Sequence, residues 1–388
     1  MRHVGCEAHG IRLPIIITGD DLPGIIVDST LQAIKSAGAQ LKEDDVIGIT
    51  EAIVAKSQGN YAETKDIATD IKNKFGDKEI GLVFPIFSRN RFLNILKGVA
   101  AGAKKVFILL QYPADEVGNP IMDPIQIDDL DGELNGLVTA EKFKSLTKGF
   151  KHPFTNIDYI SLYESSSPNV EVYLSNDARD ILKLTKNILV AEIHKRSQTK
   201  ARLLKAGAEL VYTLSDVLNE SVDGSGYNPE YGVLGSNLST TTRVKLFPRD
   251  CKDFLNHVEK LFIEKLGLSP QLLIYGDGAF KDPYLGIWEL ADPVVSPAYS
   301  EKLGGSPNEI KLKYIADNDF SHLSGEEKQN AIINVIKNKS IENKYNEGTT
   351  PRKYADLLGS LCDLMSGSGD KGTPVILIRG YFDDLSIG

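Results

Sequence analysis

Apolar runs alternate along this chain with amphipathic segments, and this alternation predicts a mixed α and β architecture. Six short runs rich in β-branched residues are predicted as strands. They are RLPIIIT at 12–18, DDVIGIT at 44–50, EIGLVFPIF at 79–87, KKVFILLQ at 104–111, QLLIY at 271–275 and PVILIRGY at 374–381.

Helices are predicted where apolar residues recur every three or four positions and a polar residue can cap the start. Asp20 and Asp21 stand in capping positions before the first of these segments, and Asp250 stands before another. The predicted helices cover residues 22–34, 62–75, 92–103, 251–267, 307–316, 326–338 and 350–366. Together the elements predict an α+β fold with mixed sheets.

The segment MSGSGDKGTPVILIRGY at 365–381 raises the question of a phosphate-binding loop. A P-loop runs from strand to helix, whereas here a predicted helix precedes the glycines and a predicted strand follows them. The negative end of a helix dipole repels anions, so one interpretation is a helix cap and a turn. The other is that Lys371 and the glycine N–H groups bind an anion with help from elsewhere in the chain.

Residues 112–134 differ in composition from the rest of the chain. They contain seven acidic residues and three prolines but no basic residue. Such a segment is predicted to be a solvated loop. A cation site rich in carboxylates and an arm that embraces another subunit are the alternatives.

Bulk properties limit the classes of function. A chain of 388 residues exceeds the roughly 250 to 300 residues at which one core stops growing, so two domains or a large insertion are expected. A net charge of −9 argues against binding to nucleic acid or an anionic membrane. The apolar runs fall short of the ~18 residues of a membrane span, and three scattered cysteines suit a reducing compartment. We therefore expect a cytoplasmic protein.

Carboxylates after a predicted strand are the strongest chemical signal in the residues themselves. Asp277 follows the run LLIY, and Asp282 lies five residues further on. Carboxylates at strand ends suit Mg²⁺ or Mn²⁺, which prefer oxygen ligands and bridge them to phosphates. Asp-Gly is also a common turn pair, so a turn without metal is the alternative.

Four segments resemble the coenzyme F-420 gamma-glutamyl ligase family in the same order along the chain. TGDDLPGIIVDSTLQAIKSAGAQLKEDDVIGITEAIVAKSQGN at 18–60 resembles its opening, and YGVLGSNLSTTTRVKLFPRD at 231–250 resembles its middle motif. Asp277 matches the aspartate of an Asp-Thr-Phe-Gly motif, and the glycine loop with its strand resembles the close of the family.

The resemblance implies an α+β homodimer that joins L-glutamate to a small-molecule acceptor with GTP and divalent metal, Mn²⁺ or Mg²⁺. It assigns metal binding to Asp277, with Asp282 or an acidic residue of 115–133 as a substitute ligand. We expect nucleotide contacts at seven further positions, of which Lys371 has no match in the family motif: Lys56, Ser236, Asn237, Gly369, Asp370, Lys371 and Gly372.

Two departures accompany the resemblance. Leu234 stands where the middle motif carries a metal-binding aspartate, and residues 62–170 have no clear counterpart. We therefore expect a ligase-like body of residues 1–61 and 171–388 with an inserted region at 62–170. Two functions remain open: a GTP-dependent amide ligase, and a non-catalytic homodimeric relative that binds a nucleotide or metabolite.

Overall fold

The structure, a computed structural model, describes residues 3–130, 132–153, 155–277, 294–339, 346–347, 352–366 and 371–387. Its strands are β1 Glu7–Ile11, β2 Val46–Thr50, β3 Tyr61–Glu63, β4 Glu79–Val83, β5 Lys105–Leu110, β6 Val138–Thr139, β7 Val170–Leu174, β8 Asn187–Val190, β9 Leu210–Thr213, β10 Asn237–Leu238, β11 Arg243–Lys245, β12 Gln271–Asp277, β13 Val294–Tyr299, β14 Glu309–Ile310, β15 Asn346–Glu347 and β16 Val375–Arg379.

The α-helices are α1 Leu22–Ser36, α2 Glu51–Ser57, α3 Thr64–Phe75, α4 Leu93–Gly102, α5 Ala140–Leu146, α6 Tyr159–Glu164, α7 Arg196–Lys205, α8 Cys251–Leu266, α9 Leu312–Tyr314, α10 Gly325–Lys337 and α11 Tyr354–Ser366. Helices and mixed sheets confirm the predicted α+β fold.

A five-stranded sheet forms the body of the protein, in the order β1-β16-β2-β12-β13. β2 and β12 are parallel, whereas β16 pairs antiparallel with both β1 and β2. Side chains alternate between the two faces of a strand, so Ile47 and Ile49 pack with α1 and α8. Val46 faces the other way and packs with Leu358 of α11.

A second sheet, in the order β6-β7-β5-β4-β8-β9, forms the core of a lobe that we define as residues 64–242. Five of its strands are parallel, and β6 joins one edge antiparallel. The chain runs from β4 outward through β5 to β7 and then returns to the other side of β4 with β8 and β9. β4 and β8 therefore flank a topological switch point, where strand order reverses.

The two ends of this lobe lie side by side. β3 pairs antiparallel with β11 and places Ala62 opposite Val244. The lobe sheet extends from residue 79 to residue 213, since β7 pairs with β5 and β8 pairs with β4. The division of the chain at residues 62 and 170 stays a prediction. The hydrogen-bonded strands of the lobe sheet continue beyond residue 170.

Most predicted elements are found close to their predicted positions, including the helix that Asp21 caps by accepting from the Gly24 N–H. The strand predicted at residues 12–18 is wrong. The strand lies just before it, at Glu7–Ile11, and pairs with β16. Pro14 lacks an N–H, which disfavours the continuation of this ladder.

The prediction of a solvated acidic loop at 112–134 is wrong for its first two carboxylates. Asp115 is buried and accepts a hydrogen bond from the Phe87 N–H at 2.6 Å. Glu116 accepts from the N–H groups of Ile193 and His194. The two side chains therefore hold the loops that follow β4 and β8. In the part of the chain that is described, no helix is long and apolar enough to cross a membrane.

Replacing Gly102 by Ala tests the close packing of α3 against α4. A Cβ at Gly102 would lie 2.4 Å from the Ala68 carbonyl oxygen, so backbone must shift. We expect the free energy of unfolding to fall by about 1–3 kcal/mol in urea denaturation. Gly5→Ala is the control, because a Cβ there meets nothing within 4 Å. Equal stability of the two variants would contradict this packing.

Glu116 predicts a pH dependence of stability. Burial raises its pKa from 4.5 to about 7, so the folded protein retains a proton that the unfolded chain releases between these values. Stability from this group is present below about pH 4.5 and is lost as the pH rises through 7. We expect a loss of about 3 kcal/mol, since the pKa rises from 4.5 to about 7 and each pKa unit equals about 1.4 kcal/mol.

The measurement is urea denaturation from pH 4.5 to 8 of the wild type and Glu116→Gln. The variant cannot titrate at this position and should show a flatter profile. Glu133→Gln, in an exposed ion pair of the same segment, should keep the wild-type slope. A Glu116→Gln profile parallel to the wild type would show that this carboxyl does not titrate in the window.

Candidate functional site

A cavity that contains predicted site residues lies at the carboxyl end of β2. We name it the body cavity, and its volume is about 380 Å³. Its lining comes from three segments distant in sequence: Leu13, Pro14, Ile15, Ile16, Thr50, Ala52, Ile53, Lys56, Ser366, Gly372, Thr373 and Pro374. The position matches the rule that ligands bind at the carboxyl ends of parallel strands.

Backbone hydrogen bonds hold these three segments together. The Thr50 N–H donates to the Pro374 carbonyl at 3.0 Å, and the Leu13 N–H donates to the Gly372 carbonyl at 3.2 Å. β16 therefore fixes the segment 372–374 against the end of β2. The cavity walls are set by sheet pairing rather than by side-chain packing alone.

Lys56 lies in the last turn of α2, and its main chain is anchored from outside the helix. Its carbonyl accepts from Thr18 Oγ1 at 3.2 Å, and the Gly19 N–H donates to the Ser57 carbonyl at 2.8 Å. Gly59 has a φ of +62°, and a Cβ there would lie 2.7 Å from Thr18 Cγ2. The Lys56 side chain forms no ion pair with any described residue, so its charge is available to an anion.

The glycine loop reaches the same cavity. Ser366 and Gly372 line it, and Lys371 is exposed beside them. Gly369 and Asp370 lie outside the described residues. The structure thus brings Lys56 together with Ser366 and Gly372, the two ends of the segment that was predicted to contact phosphate.

A buried ion pair lies at the ends of the parallel strands β2 and β12. Glu51, the residue after β2, is 3% exposed, and Lys245 Nζ lies 2.6 Å from Glu51 Oε2. The Glu51 side chain packs on Gly276, where a Cβ would lie 2.1 Å from its Cγ. Asp277 follows directly as the last residue of β12. Sequence analysis missed this pair because its members are 194 residues apart.

A family comparison covers nearly the whole chain. The sequence profile of F420-0:Gamma-glutamyl ligase matches residues 10–380. The chain belongs to this family. Amide ligation is accordingly the class of activity that the family supports. Among individually curated proteins, none matches the chain.

Leu234 and Ser236 of the family's middle motif do not line the body cavity. Leu234 is 3% exposed and packs in the apolar core of the lobe. Ser236 and Leu234 line a small cavity. This cavity shares no lining residue with the body cavity. Asn237 lies opposite Lys245 in the β10–β11 pair, and Lys245 is the residue that forms the ion pair with Glu51. The seven predicted nucleotide contacts therefore divide between separate places.

The described residues do not form a metal site by themselves. Among them, no group of three His, Cys, Asp or Glu side chains is placed to hold a metal ion. The buried Leu234 has no oxygen to offer, and Glu51 is engaged by Lys245. Asp282 lies outside the described residues, and Asp277 is described only as the end of β12. The metal assignment of both aspartates stays a prediction.

Other family-like residues have structural roles. The Asp45 carboxylate accepts from the N–H groups of Lys42 and Gly380, and its Oδ2 lies 3.8 Å from Arg379 Nε. The opening and closing motifs therefore meet at the end of β2 opposite the cavity. Burial raises the pKa of Asp45 against the lowering effect of these hydrogen bonds. This contact joins β2 to β16. Asp45 does not line the body cavity.

Replacing Lys245 by Met tests the buried pair. The substitution removes the cation that neutralises Glu51 in a buried environment, so we expect a loss of about 3–5 kcal/mol in the free energy of unfolding. Urea denaturation measures it. Lys302→Met is the control, because its pair with Asp44 is exposed and should be worth less than about 1 kcal/mol.

The double variant Glu51→Met with Lys245→Met should recover much of this loss, because apolar side chains then replace both charges. A single variant as stable as the control would show that Glu51 and Lys245 are not coupled in the folded protein.

Proposed function

We propose that this protein is a GTP-dependent ligase that joins L-glutamate, or a similar amine, to a carboxylate of a small acceptor. The observation that carries the proposal is the meeting of Lys56 with the 366–372 segment in one cavity. Both segments belong to a family of amide ligases. A cavity of about 380 Å³ is in the range of small-molecule sites.

The chemistry requires two transfers. An oxygen of the acceptor carboxylate takes the γ-phosphoryl group of GTP, and GDP leaves. The amine then attacks the acyl carbon, and phosphate leaves together with the carboxylate oxygen that had taken the phosphoryl group. Negative charge is present on phosphoryl oxygens in both steps, so cations and N–H groups aimed at them lower the barrier.

Lys56 is the side chain best suited to this task, because it lines the body cavity and has no ion pair with a described residue. Gly372 also lines the cavity and Lys371 is exposed next to it in the chain, so the Gly372 N–H and the Lys371 ammonium add positive character. Asn237 supports the site from beside Lys245. Ser236 lines a different cavity, so its predicted contact with the nucleotide stays a prediction.

Divalent metal, Mn²⁺ or Mg²⁺, belongs to the proposal as part of a metal–nucleotide complex. Hard cations accept phosphate and water oxygens in place of protein ligands, so Asp277 would need the nucleotide to complete a site. We assign no step to the ion. The expected behaviour is little affinity for Mn²⁺ alone and clear affinity once GTP is present.

A homodimer is also proposed. Ile15 and Ile17 are 86% and 60% exposed, and Ile15 lines the body cavity. Large apolar side chains beside a site are typical of a surface that another subunit covers.

The second candidate is a non-catalytic homodimeric relative that binds a nucleotide or metabolite. The burial of Leu234 in an apolar core favours it, because the ligand set that the family uses is incomplete there. Both candidates bind a small molecule, but only the ligase consumes GTP.

Phosphate release from GTP separates them. The ligase predicts release that requires Mn²⁺ or Mg²⁺, L-glutamate and a carboxylate acceptor from a panel of small metabolites. Binding of GTP without release across the panel would favour the second candidate. Absence of GTP binding would contradict the ligase.

Two variants locate the site in calorimetric titrations with GTP and Mn²⁺. Lys56→Met and Lys371→Met should each weaken GTP binding, by about tenfold for Lys56, because a charge-assisted contact to phosphate is worth about 1.5–3 kcal/mol. Asp277→Asn should remove most of the nucleotide-dependent Mn²⁺ affinity. Lys35→Met, on exposed α1 surface, is the control. Unchanged GTP affinity in Lys56→Met would place the nucleotide elsewhere.

A further inference from the structure

Lys56 is carried by a helix that is too short to hold its own direction. α2 spans the seven residues Glu51–Ser57, whereas isolated helices of fewer than about 12–15 residues are marginal in water. The last carbonyl groups of a helix also lack partners within it. The direction of the Lys56 side chain therefore depends on what fixes the turn that follows α2, residues 58–60.

Main-chain hydrogen bonds join this turn to α2. The N–H groups of Gln58 and Asn60 donate to the carbonyls of Val54 and Ala55, at 3.1 and 2.9 Å. These bonds make the turn a continuation of the helix, so that the two move together. They give the helix no fixed place in the molecule, because both partners belong to the same short segment. The contacts that fix it must come from residues distant in the sequence.

The Gln58 side chain provides one such contact. Its Nε2 donates to the Arg249 carbonyl at 2.7 Å, and its Oε1 accepts from the Arg249 N–H at 3.1 Å. Both polar atoms of the amide are therefore bound to the main chain of one residue, 191 positions further along the chain. Two hydrogen bonds between the same pair of residues fix direction as well as distance.

Asn60 provides a second contact to the same distant segment. It is buried, and its Nδ2 donates to the Phe247 carbonyl at 2.6 Å. Its Oδ1 accepts from Arg249 Nη1 at 2.6 Å and from the Tyr227 N–H at 3.0 Å. The turn after α2 is thus joined to residues 247–249, which lie at the end of the segment that resembles the middle motif of the family.

Residues 247–249 are themselves held from another side. The buried Asn228 donates from its Nδ2 to the carbonyls of Phe247 and Pro248, at 3.3 and 3.0 Å. Its Oδ1 accepts from the Tyr231 N–H at 2.8 Å. Buried polar networks whose members are hydrogen-bonded make a structure rigid. Gln58 is therefore bound to a fixed part of the protein.

We propose that Gln58 is a positioning residue that holds Lys56 in the direction in which its ammonium contacts phosphate. Gln58 is absent from the described lining of the body cavity, so it acts through Lys56 and does not touch the nucleotide. The proposal rests on the function proposed for the body cavity. It also gives the middle motif a role there, because the main chain of Arg249 supports Lys56 from outside the cavity.

Hydrogen exchange of the full chain without nucleotide tests the contact itself. Gln58→Ala should raise the exchange rate of the amides at 57–60 about fivefold or more, because this turn loses its contact while the rest of the chain keeps its own. Gln271→Ala is the matched control. Gln271 Nε2 also donates to a distant main-chain carbonyl, that of Glu43 at 3.1 Å, and Gln271 lies opposite Val46 at the other end of β2. Unchanged exchange at 57–60 in Gln58→Ala, or an equal rise in both variants, would overturn the proposal.

A double-mutant cycle on GTP affinity tests the route through Lys56. In calorimetric titrations with Mn²⁺ and GTP, Gln58→Ala should weaken GTP binding about fivefold in the wild type and less than about twofold in Lys56→Met, because effects of coupled residues are not additive. Gln271→Ala should bind GTP as the wild type does. A merely structural glutamine would lower the Tm and leave GTP affinity unchanged, or would weaken GTP binding equally on both backgrounds, and either result would overturn the proposal.

The same cycle separates the failure of this proposal from the failure of the proposed function. If Lys56→Met weakens GTP binding and Gln58→Ala adds the same loss on both backgrounds, the nucleotide site stands and only the positioning role of Gln58 is overturned. If Lys56→Met leaves GTP affinity unchanged, or if the wild type binds no GTP, the nucleotide site at the body cavity is overturned together with the role of Gln58.

Discussion

The insertion of β16 between β1 and β2 is the contact on which the body of this protein depends. Val375 to Ile378 pair with both neighbours, and their side chains enter the cores on both faces of the sheet. The same pairing holds Pro374 against Thr50, and so builds one wall of the body cavity. At the other end of β2, Asp45 accepts from the Gly380 N–H. One strand therefore joins the core, the cavity and the two family motifs.

Local features of the fold were predictable from sequence. Asp21 caps α1 as expected, since a cap needs only a carboxylate beside the first turn. The strand near residue 12 was misplaced, because the partner that decides its position is β16, more than 350 residues away in the chain. The order of strands in the lobe could not be predicted either, because the alternation of apolar and polar residues along a strand does not show which strands pair with it.

The candidate site was predictable in part. The meeting of Lys56 with the 366–372 segment was expected from the resemblance to a family rather than from periodicity. The Glu51–Lys245 pair was missed because each residue alone resembles an ordinary surface charge. Asp115 was misassigned for a similar reason: an acidic segment suggests solvent until the N–H groups it accepts from are known. Long-range hydrogen bonds decide whether a charged residue is exposed or structural.

The position of β16 also sets an order of assembly during synthesis. The lobe strands from β4 to β9 are contiguous in the chain, so the lobe can pair its sheet once residue 213 has left the ribosome. β1 and β2 are made early but lack the strand that lies between them. The backbone N–H and carbonyl groups along the facing edges of β1 and β2 stay unpaired until β16 emerges. A nascent chain of this protein therefore carries a complete lobe sheet beside a body sheet that still lacks its second strand.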